Sequence, residues 1–275
     1  MTGRIPSGMI TFICEHSAEL LRGRFRRKPR TFILNEGVRF GVRVQEISVA
    51  RSGDERFDKR AFDDAVQFLS EHGVREVICA DADRGSRLAG RGILPPSREP
   101  LERAMMPRVA LEIVRRRQAR SVAICARRRS RELTTAVELL SPKVRSIAIL
   151  IPGGGEDYAN HLRWSKGLSV RTDPSALMSA EVKLLLGEPG FPLGKGVAIG
   201  PTPYAGIGLE VVKSLKYIFP PSLTGSVYPP ELIASALVKA GLLRAEEIGI
   251  KTIETANSID NLQFSHYNAI CSTMT

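Results

Sequence analysis

Ser146-Ile-Ala-Ile-Leu-Ile151 is apolar at every position after its serine. A half-buried strand would alternate, and an amphipathic helix would show a polar face, so this run reads as a strand buried on both sides. Ser121–Ala126 repeats the pattern, and Ser130–Leu140 between the two reads as a helix with Ser130 as its N-cap. Upstream, residues 100–118 carry Leu101, Met105, Val109, Ile113 and Val114 at helical spacing, with Pro107 as a candidate kink. Before that come a strand over Val74–Ala80 and a helix over 58–72, whose Phe62, Val66 and Leu69 share a face between Asp58 and Gly73. Downstream lie a helix over Glu156–Lys166 and a short strand over Leu168–Arg171. Strands joined through helices run parallel, because a crossover needs that length of chain. The alternation from 58 to 171 therefore predicts an α/β fold, Rossmann-like, with a mostly parallel, doubly wound sheet and a small C-terminal lobe.

The flanks are read more locally. Residues 9–14, 31–34 and 38–50 read as strands, the last two joined by a turn at Asn35-Glu36-Gly37. Asp173 followed by Pro174 predicts a helix from 174 to 186, and Gly187-Glu-Pro-Gly-Phe-Pro-Leu-Gly194 has the composition of a linker. Beyond it a strand over Val197–Ile199, helices over 207–219 and 230–240, and a strand over Ile248–Ile253 are expected. Three segments follow: a β-rich 1–57, a Rossmann-like core 58–186, and a C-terminal lobe and tail 187–275.

The chain has 275 residues, 43% of them hydrophobic, which is enough apolar material for a core and argues against global disorder. Ile147–Ile151 is too short to cross a bilayer, and Val197–Leu209 is broken by Pro201 and Pro203. Met9–Cys14 is too short for the apolar part of a secretion signal, so a cytoplasmic protein is expected. Cys14, Cys79, Cys125 and Cys271 form no Cys-x-x-Cys or Cys-x-x-His spacing, so sequence signals no metal site. The net charge of +11 favours an anionic partner.

In parallel sheets ligands bind beyond the carboxyl ends of the strands, so the loops there carry most weight. The stretch after Ala80 reads as a long loop to residue 98, in which Asp81 and Asp83 could meet a metal or a ribose hydroxyl and Arg84 and Arg87 a phosphate. Arg127, Arg128 and Arg129 precede Ser130 at a helix start, where an anion is favoured. These residues resemble the second βα turn of NADP-binding domains. No Gly-x-Gly-x-x-Gly opens the preceding helix, which begins Glu99-Pro-Leu-Glu-Arg-Ala104, so that family is not assigned. Gly153, Gly154 and Gly155 give a ligand room to approach the backbone, but no Lys-Ser/Thr follows to make a P-loop. Thr202, Tyr204 and Gly206 fall in a similar loop after Ile199.

Cys14, Cys79 and Cys125 each end an apolar run, so all three are expected near strand carboxyl ends, where they also serve as small buried hydrophobes. His16 is the base nearest to Cys14. The leading expectation is a protein that binds a phosphate-bearing, nucleotide-like small molecule at the sheet edge, its cofactor and reaction unspecified. The alternative is RNA binding through Arg22, Arg24, Arg26, Arg27, Lys28 and Arg30, with Phe25 as a stacking surface. A third is a non-catalytic interaction protein on the same fold.

Overall fold

A computed structural model of the chain describes residues 9–17, 31–190, 192–200 and 208–257. The chain separates into two compact units, one of residues 1–101 with 219–244 and one of residues 102–218 with 245–275. These units cut across the segments that composition suggests. Residues 187–275 divide between both, rather than standing apart as one lobe.

The first unit is built on β1 (Ile10–Ser17), β2 (Phe32–Arg39), β3 (Val42–Arg51) and β4 (Ile78–Cys79), in the order β2-β3-β1-β4. β1 runs parallel to both neighbours, and β2 is antiparallel to β3. The hairpin turn lies at Phe40-Gly41 and not at residues 35–37, which belong to β2. Both turn residues have positive φ, at 55° and 77°, the geometry that matches the twist of paired strands and that Gly41 adopts at no steric cost. Asp54 caps α1 (Glu55–Glu71) by accepting from the amides of Arg56 and Phe57. That helix lays Ala61, Phe62, Ala65, Val66 and Leu69 against Ile13, Ile47 and Val49 on one face of the sheet.

The stretch read as a loop after residue 80 holds a helix, α2 (Ala82–Ala89), capped by Asp81. Asp81 and Asp83 therefore serve a helix start, which explains why sequence saw them as a polar loop. The strand expected over 74–80 contracts to β4, with one further bridge between Glu76 and Leu94.

The second unit holds β5 (Ser121–Cys125), β6 (Ser146–Leu150), β7 (Val170–Arg171), β8 (Val182–Leu185), β9 (Gly196–Ile199), β10 (Leu209–Ile218) and β11 (Gly249–Asn257). They form one sheet in the order β11-β10-β9-β8-β5-β6-β7. All neighbours are parallel except β10 and β11. The fold is α/β with a mostly parallel sheet, as the buried strands imply. Ala123, Cys125, Ala148 and Leu150 pack with Ala176 and Leu177 of α6 (Pro174–Ser179). Val122, Ile124, Ile147 and Ile149 point the other way and are equally buried. The remaining helices are α3 (Glu99–Arg117), which runs through Pro107, α4 (Arg131–Leu140), α5 (Gly155–Lys166), α7 (Pro221–Thr224) and α8 (Pro230–Lys239).

Two sequence expectations fail here. The helix expected over 174–186 stops at Ser179, and Val182–Leu185 is β8, flanked by β5 and β9. The helix expected over 207–219 is β10, whose apolar residues fit a helical spacing but which pairs along its length with β11. In both cases pairing with neighbouring strands overrides local propensity. No helix among the described residues is long and apolar enough to cross a membrane.

Candidate functional site

The strand order places a reversal in the second unit. From β5 the chain steps outward through β6 to β7, then returns to the other side of β5 as β8, β9 and β10. The loops after β5 and β8 therefore part at the carboxyl edge, the place where such sheets open a crevice. They remain in close touch. Leu186 donates its amide to Cys125 O at 2.8 Å, and a Cβ on Gly187 would lie 2.8 Å from the Arg127 backbone nitrogen. Glycine at 187 is what lets the two loops approach this closely.

The loop after β5 carries Arg127, Arg128 and Arg129, all exposed, and leads into α4. Ser130 caps that helix by accepting from the Leu133 amide at 3.2 Å. Arg129 reaches across to α5, its guanidinium 4.8 Å from the centre of the Tyr158 ring. No carboxylate among the described residues pairs with Arg127 or Arg128. The sequence compared this turn with the second of an NADP-binding domain. In the sheet it follows β5, the first strand of the series that winds outward.

Gly153, Gly154 and Gly155 follow the adjacent β6, so they share this edge with the arginines. The Gly154 and Gly155 amides both donate to Ile151 O, at 3.3 and 3.1 Å, so the turn offers space more than free donors. Glu156 opens α5, and its hydrogen bonds from Thr172 and then Arg163 hold its carboxyl below the usual range. A carboxylate there disfavours an anion at α5, and α4 likewise carries Glu132 in its first turn, so what sets the start of α4 apart is the three arginines before it. Thr202, Tyr204 and Gly206 lie outside the described residues, as do Arg22, Arg24, Arg26, Arg27, Lys28 and Arg30.

Asp81, Asp83, Arg84 and Arg87 belong to the first unit. Arg84 is ion-paired with Glu15 and lies 3.8 Å from Asp81, and Arg84 and Arg87 both stand over the Phe62 ring, at 5.2 and 4.7 Å. Asp83 is exposed. Arg84 and Asp81 line a cavity of about 330 Å³ together with Cys14, Glu15, His16, Glu46 and Cys79.

The strand geometry assembles this cavity. β1 runs on to Ser17, so Cys14 and His16, two residues apart, share one face. The parallel register with β3 sets Phe12 beside Glu46 and Cys14 beside Ser48 on that same face. Cys14 Sγ lies 3.4 Å from His16 Nε2 and donates to Glu46 Oε1 at 3.3 Å. Tyr228, packed on the Phe12 ring at 4.6 Å, donates to the same Glu46 oxygen at 2.8 Å. Arg39 holds Glu46 Oε2 at 2.7 Å. Burial pushes the Cys14 thiol up, and the Glu46 carboxylate adds to that. Cys79 sits on β4 opposite Ile13 and lines the same cavity, whereas Cys125 lies in the other unit, its thiol 3.7 Å from Glu188 O.

Sequence reading named Cys14 and His16 and missed Glu46, Tyr228, Arg39 and Gly187. The one available signal was the i, i+2 spacing of Cys14 and His16 on a strand.

No protein-family model matches the chain, and no curated protein does. Among solved structures it is similar to the L-tryptophan dehydrogenase of Nostoc punctiforme, at 11% identity and a TM-score of 0.28, over 73% of this chain and 56% of that one. The chain thus spans little more than half the dehydrogenase's length. It is also similar to a putative aspartate carbamoyltransferase from Trypanosoma cruzi, at 12% identity and a TM-score of 0.23, over 86% of this chain and 81% of that one. Likenesses this distant say nothing about ligand or reaction.

Proposed function

We propose that the second unit binds a phosphate-bearing, nucleotide-like small molecule at the carboxyl edge of its sheet, over the loops after β5 and β6. The observation that carries this reading is the place of Arg127 and Arg128. They are exposed, carry no partner carboxylate among the described residues, and stand before a capped helix beside the reversal of strand order. Two guanidiniums with planar donor forks suit phosphate oxygens. Gly153–Gly155 on the next strand's loop leaves room for the rest of the ligand.

Isothermal titration with a panel of nucleotides, dinucleotides and sugar phosphates tests the reading, with a short RNA as a further arm. One small-ligand class should bind at moderate salt, and Arg127→Ala with Arg128→Ala should weaken it at least about tenfold, the loss of one or two charge-assisted hydrogen bonds. Binding only to RNA, falling steeply with salt, would transfer the function to nucleic acid. No binding to any of these ligands would remove the proposal.

A further inference from the structure

The cavity of the first unit brings together three side chains that no part of the preceding function uses. Cys14 Sγ, a His16 ring nitrogen and a Glu46 carboxylate oxygen all lie within 4.8 Å of one another. The sulfur is 3.4 Å from the imidazole nitrogen and 3.3 Å from Oε1. Ligands on one tetrahedral zinc ion, at the usual bond lengths to sulfur, nitrogen and oxygen, stand roughly 3.5 Å apart. The donor set is one that zinc takes, and both distances from the sulfur match the spacing of its ligands.

We propose that Cys14, His16 and Glu46 bind a zinc ion, with a fourth coordination position facing the cavity. The mixed donors favour this metal: magnesium and calcium want oxygen alone, and a thiolate with an imidazole and a carboxylate suits a borderline cation. Charge agrees. A dication neutralises one thiolate and one carboxylate. Glu46 bonds the sulfur, so it does not orient the imidazole as the third member of a catalytic triad would.

The surroundings hold Glu46 as an outer shell should. Tyr228 donates to Oε1 and Arg39 to Oε2, and the Tyr228 ring is fixed by burial against Phe12. Such partners orient a ligand and typically alter metal affinity by about 10- to 100-fold. Three protein ligands with one open position is the arrangement of zinc sites that exchange a water or a substrate, and closed structural sites use four. The cavity, lined by all three ligands with Asp81, Arg84 and Glu15 beside them, is where the exchanging ligand would sit.

The test uses the full chain, stripped with chelator, reloaded with zinc and separately with cobalt(II). One zinc per chain is expected, and the cobalt form should show a thiolate-to-metal charge-transfer band. X-ray absorption at the zinc edge should count one sulfur at about 2.3 Å and otherwise nitrogen or oxygen. Cys14→Ser should abolish the band and His16→Ala should reduce zinc affinity at least about 100-fold, while Tyr228→Phe should reduce it about tenfold. Cys79→Ser and Cys125→Ser should leave both readouts unchanged. No stoichiometric zinc in the wild type, a zinc ion without sulfur or with two, or a cobalt band that survives Cys14→Ser would each overturn the proposal. The sulfur count is taken on the wild type, so it stands even if a variant fails to fold. None of these readouts depends on nucleotide binding at the other unit.

Discussion

Arg129 stands over the ring of Tyr158 at 4.8 Å, and this contact ties the loop after β5 to the helix after β6. Tyr158 is buried, so its ring is a fixed platform. A cation–π contact at such a site contributes about 0.5–2 kcal/mol. Tyr158→Leu keeps an apolar side chain and removes the ring's electron-rich face. It should free Arg129 and lower affinity for the phosphate-bearing ligand by about two- to tenfold. Calorimetric titration checks this, and unchanged affinity would mean that the loop is ordered by something else.

Gly187 controls the same loop without meeting a ligand. A methyl group there would press on the Arg127 nitrogen at 2.8 Å and on its Cβ at 3.3 Å. The first of these is backbone and cannot rotate away. Gly187→Ala should therefore displace Arg127, costing about 1–3 kcal/mol of stability, as overpacking commonly does. Affinity should fall along with stability. Thermal unfolding and titration on one preparation would show both, and a variant that binds normally would deny Arg127 a place in the site.

Ser130 gives a subtler variant. Its hydroxyl accepts from Leu133 N and holds the first turn of α4. Ser130→Ala should cost about 1 kcal/mol by denaturant unfolding, and Ser130→Asp should restore the cap. The aspartate puts a negative charge where the ligand's phosphate would lie, so it should also weaken ligand binding. Restored stability with undiminished binding would place the anion elsewhere.

The strands buried on both faces were legible because Ile147–Ile151 is a short, unbroken apolar run, rich in β-branched residues, between helical patterns. Their order was not, since it depends on which crossover returns past β5. β8 was missed because Val182–Leu185 continues an apolar pattern begun by a capped helix, and only its pairing with β5 and β9 marks it as a strand. Of the proposed anion site, Arg127–Ser130 could be read directly from a strand followed by a cap. Gly187 could not, because its contact with Arg127 crosses sixty residues and looks in sequence like a linker glycine. The cavity cluster was half visible. Cys14 and His16 share a face once β1 is known to reach Ser17, but Glu46 arrives through the register of β1 on β3, and Tyr228 comes from far down the chain.

Lys183 is a further residue that sequence could not place. It lies within β8, fully buried, and its ammonium donates to Ala180 O and Lys195 O. Those carbonyls precede β8 and β9, so the side chain fastens the amino edge of the sheet, the end away from Arg127 and Gly187. Burial pushes its pKa down to about 8 from an ordinary 10.5. Below about 8 both folded and unfolded chains carry the proton, and the cost of burying the charge is present in full. Between the two values the unfolded chain still binds a proton that the folded chain has released, so stability attributable to this residue rises with pH. Above the unfolded value the gain is complete. Denaturant unfolding of the wild type and of Lys183→Met across pH 7 to 11, roughly the span of the two pKa values, isolates this residue from other groups that titrate there. The wild type should gain stability on the variant as pH rises through the window, and a constant difference would show that the buried ammonium keeps its proton.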